Sequence, residues 1–365
     1  MSPSLPPHRL RRVINAWGTP TPYGVSRTDA AVAHAAAGML QRHVVMAELQ
    51  RLAGRELAAW SGAQAACVTH CTASAITLSV AACMAGSDVS LIARLPDSNG
   101  MPTQVVMLAS HAVDYGHTLT QAVRLAGARP VLCADLAGLA AALSGGDVAC
   151  VLAVESHLAP ASGPELTRQL LQLARAAGVP LVLDAAAQDW RTQDLVAAGA
   201  DLLLLSGQKY LRAPTAGLVF GRTDLVAAVD AQHRGIGRGM KPTKEALAGV
   251  LAALEVRVRQ PAAVWREAQQ RKVEMVIAAA AGWRGVRAER VPDPLGNGFE
   301  RLWLTLGAGS GLDAASVIAR LRDGDPVVAV APHRAAQGCL VLELTAVEED
   351  ELPELCALLE AALKP

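Results

Sequence analysis

The 365-residue chain is 52% hydrophobic and 18% charged, with 33 basic against 33 acidic residues. Apolar content on this scale excludes a disordered chain, and the length exceeds one ordinary core, so a large domain and a smaller one are expected. Zero net charge leaves no electrostatic footprint for nucleic acid or an anionic membrane.

The first twelve residues are rich in proline and arginine without an apolar stretch, so they do not read as a secretory signal. Residues 1–47 are expected to form an N-terminal arm and helix, 48–250 a large domain, and 251–365 a small C-terminal α+β domain. Residues 67–87 carry no formal charge, but their Thr, Ser and His content points to a buried helix rather than a membrane span. Apolar runs at 105–108, 129–132, 149–154, 181–183, 202–205 and 218–220 read as strands. Helical stretches such as 118–126 and 164–177 separate them, the latter stopped by Gly178 and Pro180. Continuous apolar strands alternating with helices predict an α/β fold with a mostly parallel sheet covered on both faces. A long helix follows Lys244. Strands at 301–304, 326–330 and 340–344 and a closing helix from Leu352 complete the smaller domain. Cys67, Cys71, Cys83, Cys133, Cys150, Cys339 and Cys356 show no C-x-x-C pairing, which argues against disulfides or zinc and for a reducing cytoplasm.

Lysine occurs only at 209, 241, 244, 272 and 364. Lys209 stands out because it follows the buried run Asp201–Leu205 and the small turn Ser206-Gly207-Gln208, where an α/β sheet presents its ligand crevice. On position alone it also reads as a solvated loop lysine. Asp184 ends the neighbouring apolar run and is followed by Ala185-Ala186-Ala187; alone, it reads as a loop or capping aspartate. Together the two match a pyridoxal 5′-phosphate (PLP) site, in which the lysine bonds the cofactor and a buried carboxylate keeps the pyridine nitrogen protonated. Ala186 is small enough to lie against the ring. The turn Thr69-His70-Cys71-Thr72, leading into a helix, suits a phosphate, although any capped helix looks similar. Tyr115 or His111 can face the cofactor ring, and spacing does not choose between them. Ser206 is a further cofactor contact. Arg27, Arg212, Arg238 and Arg334 can clamp a substrate carboxylate or phosphate, though each taken singly also reads as a surface residue. His111, His117 and His157 lack partners at metal-ligand spacing, and no metal is expected. Gly235-Ile236-Gly237-Arg238-Gly239 follows no clear strand and does not read as a dinucleotide loop.

Several segments carry a resemblance: 12–19 (RVINAWGT), 95–101 (LPDSNGM), 183–188 (LDAAAQ), 199–202 (GADL), 206–214 (SGQKYLRAP) and 235–245 (GIGRGMKPTKE). The chain resembles fold-type-I PLP-dependent enzymes of the branch containing selenocysteine synthase (L-seryl-tRNA selenium transferase) and D-glucosaminate-6-phosphate ammonia-lyase. The resemblance implies Lys209 as the Schiff-base lysine, Asp184 at the pyridine nitrogen, and His70, Cys71 and Thr72 at the phosphate. It also implies a homodimer or higher homo-oligomer, with residues 15–27 and 235–241 reaching a neighbouring site. The neutral charge argues against the tRNA-dependent activity of the branch. The expected reaction is α,β-elimination from a small hydroxylated amino acid or sugar amino acid, with Lys209 taking the α-proton. Racemisation or epimerisation is the alternative within PLP chemistry, and a non-catalytic PLP-binding regulatory protein the alternative outside it.

Overall fold

The structure is a computed structural model describing residues 10–159, 161–307 and 311–364. The chain divides into two compact units, residues 28–259 and residues 1–27 with 260–365. The boundaries expected near 47 and 250 differ from this division. The first strand, β1 (Val13–Ala16), pairs within the C-terminal unit, while the helix after it packs within the large one.

The large unit runs through α1 (Ala30–Leu40), α2 (Met46–Ser61), β2 (Ala65–Thr69), α3 (Thr72–Ala85), α4 (Val89–Arg94), β3 (Gln104–Leu108), α5 (Thr120–Leu125), β4 (Arg129–Cys133), α6 (Leu136–Leu143) and β5 (Val148–Val154). It continues with α7 (Pro164–Ala176), β6 (Leu181–Asp184), α8 (Thr192–Ala198), β7 (Leu202–Ser206), β8 (Gly217–Gly221), α9 (Thr223–Ala231) and α10 (Lys244–Arg259). Seven strands form one sheet in the order β2-β8-β7-β6-β5-β3-β4. The sheet is parallel from β7 to β4, and β8 alone runs against its neighbours.

All six apolar runs expected in this region are strands. The uniform burial of β6 and β7 follows from helices covering both faces, which removes any need for polar alternation. The uncharged stretch after residue 67 contains α3, whose 14 residues are mostly buried against the sheet. Among the described residues no helix is long and apolar enough to cross a membrane. Residues 65–69, absent from the strands expected from the sequence, form the edge strand β2 before α3. Its small Ala65-Ala66-Cys67 start lacks the β-branched signature, and pairing with β8 supplies the order that composition does not.

The C-terminal unit comprises β1 with α11 (Ala262–Ala280), β9 (Val286–Pro292), β10 (Glu300–Leu306), α12 (Ala314–Asp323), β11 (Val327–Val330), β12 (Cys339–Leu342) and α13 (Leu352–Ala362). An antiparallel sheet β12-β10-β9 and the parallel pair β1–β11 enclose a core that includes Ile14, Leu302, Val328 and Leu355.

Candidate active site

The sheet brings the carboxyl ends of β5, β6 and β7 side by side, with Val154 opposite Asp184 and Asp184 opposite Leu204. Asp184, the last residue of β6, is only 3% exposed, and its Oδ1 accepts the Ala186 N–H at 3.2 Å. Burial pushes its carboxyl up to about 6, against the charge of Lys209 and the Ala186 N–H, which pull it down. A carboxylate held in this way favours a positively charged partner.

Lys209 is half-buried in the turn that follows β7. That turn is closed by Gly207 N–H to the Ala216 carbonyl (2.9 Å), Ala213 N–H to the Gly207 carbonyl (2.9 Å) and Arg212 N–H to the Lys209 carbonyl (3.0 Å). Ser206, itself buried, donates its N–H to the Ala186 carbonyl at 3.1 Å, so the segments bearing Asp184 and Lys209 are joined directly. Arg212 adopts φ 59, a left-handed backbone costly for a side chain this size. Its guanidinium lies 3.8 Å from Asp29, and the Thr28 hydroxyl donates to its carbonyl.

The start of α3 meets the same edge. Thr72 Oγ1 donates to the Leu205 carbonyl at 3.4 Å, and the buried Thr69 donates its hydroxyl to the Cys71 carbonyl at 3.0 Å. A capping box between Cys71 and Ser74 uses the N–H groups of those two residues. Thr72 and Ala73 remain as first-turn donors without an intrahelical acceptor. Gly217 on β8 faces this turn: a Cβ there would strike the Cys71 carbonyl and the Thr69 hydroxyl. His70 is exposed, and its N–H donates to the Met240 carbonyl at 2.9 Å, so the segment containing the exposed Arg238 is anchored beside the turn.

The two aromatic alternatives are placed differently. His111 is buried, with Nε2 2.9 Å from the Ala161 carbonyl and Nδ1 accepting the Val154 N–H at 3.2 Å, so both ring nitrogens are committed to backbone. Desolvation lowers its pKa and keeps it neutral near pH 7. Tyr115 has a half-exposed ring, while burial of its hydroxyl and the nearby Asp184 charge push the phenol above its usual value. Of the proposed substrate arginines, Arg212 and Arg238 belong to this unit. Arg27 and Arg334 belong to the C-terminal unit, where Arg27 pairs with Glu351 at 2.6 Å and Arg334 stacks 4.0 Å above the Trp303 ring.

Beneath these residues lies a buried polar layer that the sequence reading overlooked. Glu155, just past β5, accepts the Thr167 hydroxyl and the Arg191 guanidinium, each at 2.8 Å. Asp189 pairs with Arg257 at 2.8 Å, both almost fully enclosed. Acidic and basic residues at such separations in sequence give no local signal; only their apolar neighbours hinted at burial. No group of three or more His, Cys, Asp or Glu arranged for a metal occurs among the described residues.

A serine palmitoyltransferase from S. paucimobilis with bound PLP and myriocin shares the fold at a TM-score of 0.61 and 12% identity, covering 96% of this chain and 87% of that one. The architecture is that of fold-type-I PLP-dependent enzymes, as the sequence predicted. The solved D-glucosaminate-6-phosphate ammonia-lyase superposes at a TM-score of 0.86 with 33% identity over 100% of this chain and 99% of that one. The Salmonella typhimurium D-glucosaminate-6-phosphate ammonia lyase is 35% identical over 354 residues, 95% of this chain and 94% of the relative. A Streptomyces 5′-C-glycyluridine monooxygenase-decarboxylase is 32% identical over 346 residues, 93% and 86% of the respective chains. No family model matches. The chain belongs to the D-glucosaminate-6-phosphate ammonia lyase family.

Proposed function

We propose that this protein is a PLP-dependent ammonia lyase acting on a sugar amino acid that bears a hydroxyl beside its α-carbon. One observation carries the reading: Lys209 and the buried Asp184 lie at the ends of adjacent strands, close enough for the lysine charge to act on the carboxyl. The residues fit the cofactor. A pyridinium nitrogen would offset the burial of Asp184, and the first turn of α3 offers N–H donors to a phosphate. Ala186, Ser206, Thr69, His70 and Cys71 border the same edge, and Tyr115 is favoured over His111 for the ring because its side chain is accessible.

When bound, PLP withdraws electrons from the substrate α-carbon. Lys209 then takes the α-proton on Nζ as a general base, and Asp184 holds a proton on the ring nitrogen. Loss of the neighbouring hydroxyl as water, followed by hydrolytic release of the amino group, converts the amino acid to a 2-oxo acid and ammonia. Arg212 and Arg238 are the arginines of this unit available to a substrate anion.

Both relatives are named for amino acids joined to sugar carbons, which supports this substrate class. A homodimer is part of the proposal; the exposed Val44, Val45 and Met46 form a short apolar run suited to self-association. The cytoplasm is the proposed compartment, consistent with seven free cysteines among the described residues.

The test is incubation with D-glucosaminate 6-phosphate and with D- and L-β-hydroxy amino acids. Equal yields of 2-oxo acid and ammonia are expected, with none from deoxy analogues. Inverted amino acid without ammonia would establish a racemase instead. Binding of PLP without turnover of any compound would leave a regulatory protein.

A further inference from the structure

We infer that Arg257 is a positioning residue for Lys209, its guanidinium clamping the lysine turn to the segment that follows Asp184. The inference rests on the reading of Lys209 as the cofactor lysine. Arg257 lies in the last turn of α10 and is 8% exposed. Its Nη2 donates to the Tyr210 carbonyl at 2.7 Å and to Asp189 Oδ2 at 2.8 Å. Tyr210 adjoins Lys209, and Asp189 closes the short segment leaving Asp184. One nitrogen therefore ties together the two stretches of chain that grip the cofactor. The guanidinium also stacks 3.6 Å from the centre of the Trp190 ring, which fixes its plane.

Burying an arginine and an aspartate is costly, and apolar residues of similar volume often stabilise a fold as well or better. The contacts made here serve geometry. A planar guanidinium engages a carbonyl, a carboxylate and an aromatic face together, which an ammonium does poorly. The turn it restrains contains Arg212 at φ 59, a conformation that persists only when its surroundings enforce it. Asp189 Oδ1 is buried without a hydrogen-bond partner among the described residues, and the Lys209 charge acts on this carboxyl too. Lys209 thus lies in the field of two buried carboxylates, and Arg257 holds the second. Small displacements of a reacting group are expensive: about 1 Å can cost on the order of 100-fold in rate.

The experiment compares the PLP-loaded parent with Arg257→Gln, Arg257→Lys and the double variant Asp189→Asn/Arg257→Gln. Each is reduced with borohydride and mapped for label on Lys209, its visible band is titrated with pH, and kcat and KM are measured with D-glucosaminate 6-phosphate. In Arg257→Gln we expect the band midpoint to move by more than about half a pH unit and kcat to fall at least about 30-fold with KM little changed. Arg257→Lys should recover part of both. A folded Arg257→Gln protein with the parental midpoint and kcat overturns the inference. If that variant does not fold, the double variant, which strands no buried charge, is read in the same way. If neither folds, Arg257 is a folding element and the positioning role is withdrawn. Absence of label on Lys209 in the parent overturns the cofactor reading, whereas parental label with unchanged band and kcat overturns only this inference.

Discussion

Replacing Asp184 with asparagine should make the cofactor-free protein more stable and the loaded enzyme nearly inactive. Folding removes this carboxyl from water and lifts its pKa to about 6, even with Lys209 and the Ala186 N–H pulling the other way. An exposed aspartate titrates near 3.9, so the native and unfolded values differ by about two pH units, at about 1.4 kcal/mol each. The native state binds the proton more tightly than the unfolded chain. The fold is therefore penalised as pH rises through the interval between the two values, with no penalty below about pH 4 and about 3 kcal/mol above about pH 6. Asparagine keeps the shape and retains an oxygen for the Ala186 N–H, held at 3.2 Å in the native protein, while carrying no charge. Urea unfolding of the cofactor-free proteins should show a gain of about 3 kcal/mol at about pH 8 that disappears near pH 4. In the loaded enzyme kcat should drop more than about 100-fold, because an amide does not keep the ring nitrogen protonated. A variant no more stable than the parent at alkaline pH, or an advantage that persists in acid, refutes the burial argument. Normal turnover refutes the role given to Asp184.

Borohydride reduction of the PLP-loaded protein should bleach its yellow band and leave the label on the Lys209 peptide; label on another lysine would remove the basis of the site. Gly217→Ala should weaken PLP binding at least about tenfold, about 1.4 kcal/mol, by displacing the turn before α3, and unchanged affinity in a cofactor titration would dissociate that turn from the phosphate. Arg191→Met strands the buried Glu155, leaving only the Thr167 hydroxyl, and should cost about 3–5 kcal/mol in urea unfolding. Adding Glu155→Gln should recover much of that loss; a second loss of similar size would show that the two residues act independently.

Much of the fold was legible in the chain because a parallel sheet covered on both faces writes itself as uninterrupted apolar runs. The four leucines ending at Leu205, followed by Ser206-Gly207, marked the edge where Lys209 stands, and a sequence with so few lysines made that position conspicuous. Asp184, closing the neighbouring run, completed a pair whose chemistry is local to two strand ends. What remained hidden depends on partners distant in sequence. Strand β2 takes its order from β8 across the sheet, and β1 takes its order from β11 at the far end of the chain. The backbone holds both ring nitrogens of His111 while Tyr115 stays half-exposed, and spacing carries no information about hydrogen bonds to Ala161 and Val154. The pairing of Arg257 with Asp189 and Tyr210 was equally invisible, because a charged residue near the end of a helix reads as solvated until packing encloses it. Periodicity and strand-end signals act along the chain, so the sequence alone determined the α/β class and the placement of Lys209 and Asp184 at the ends of neighbouring strands. Burial and the satisfaction of buried charges are properties of the packed whole, so only the tertiary structure decided how that pair is held.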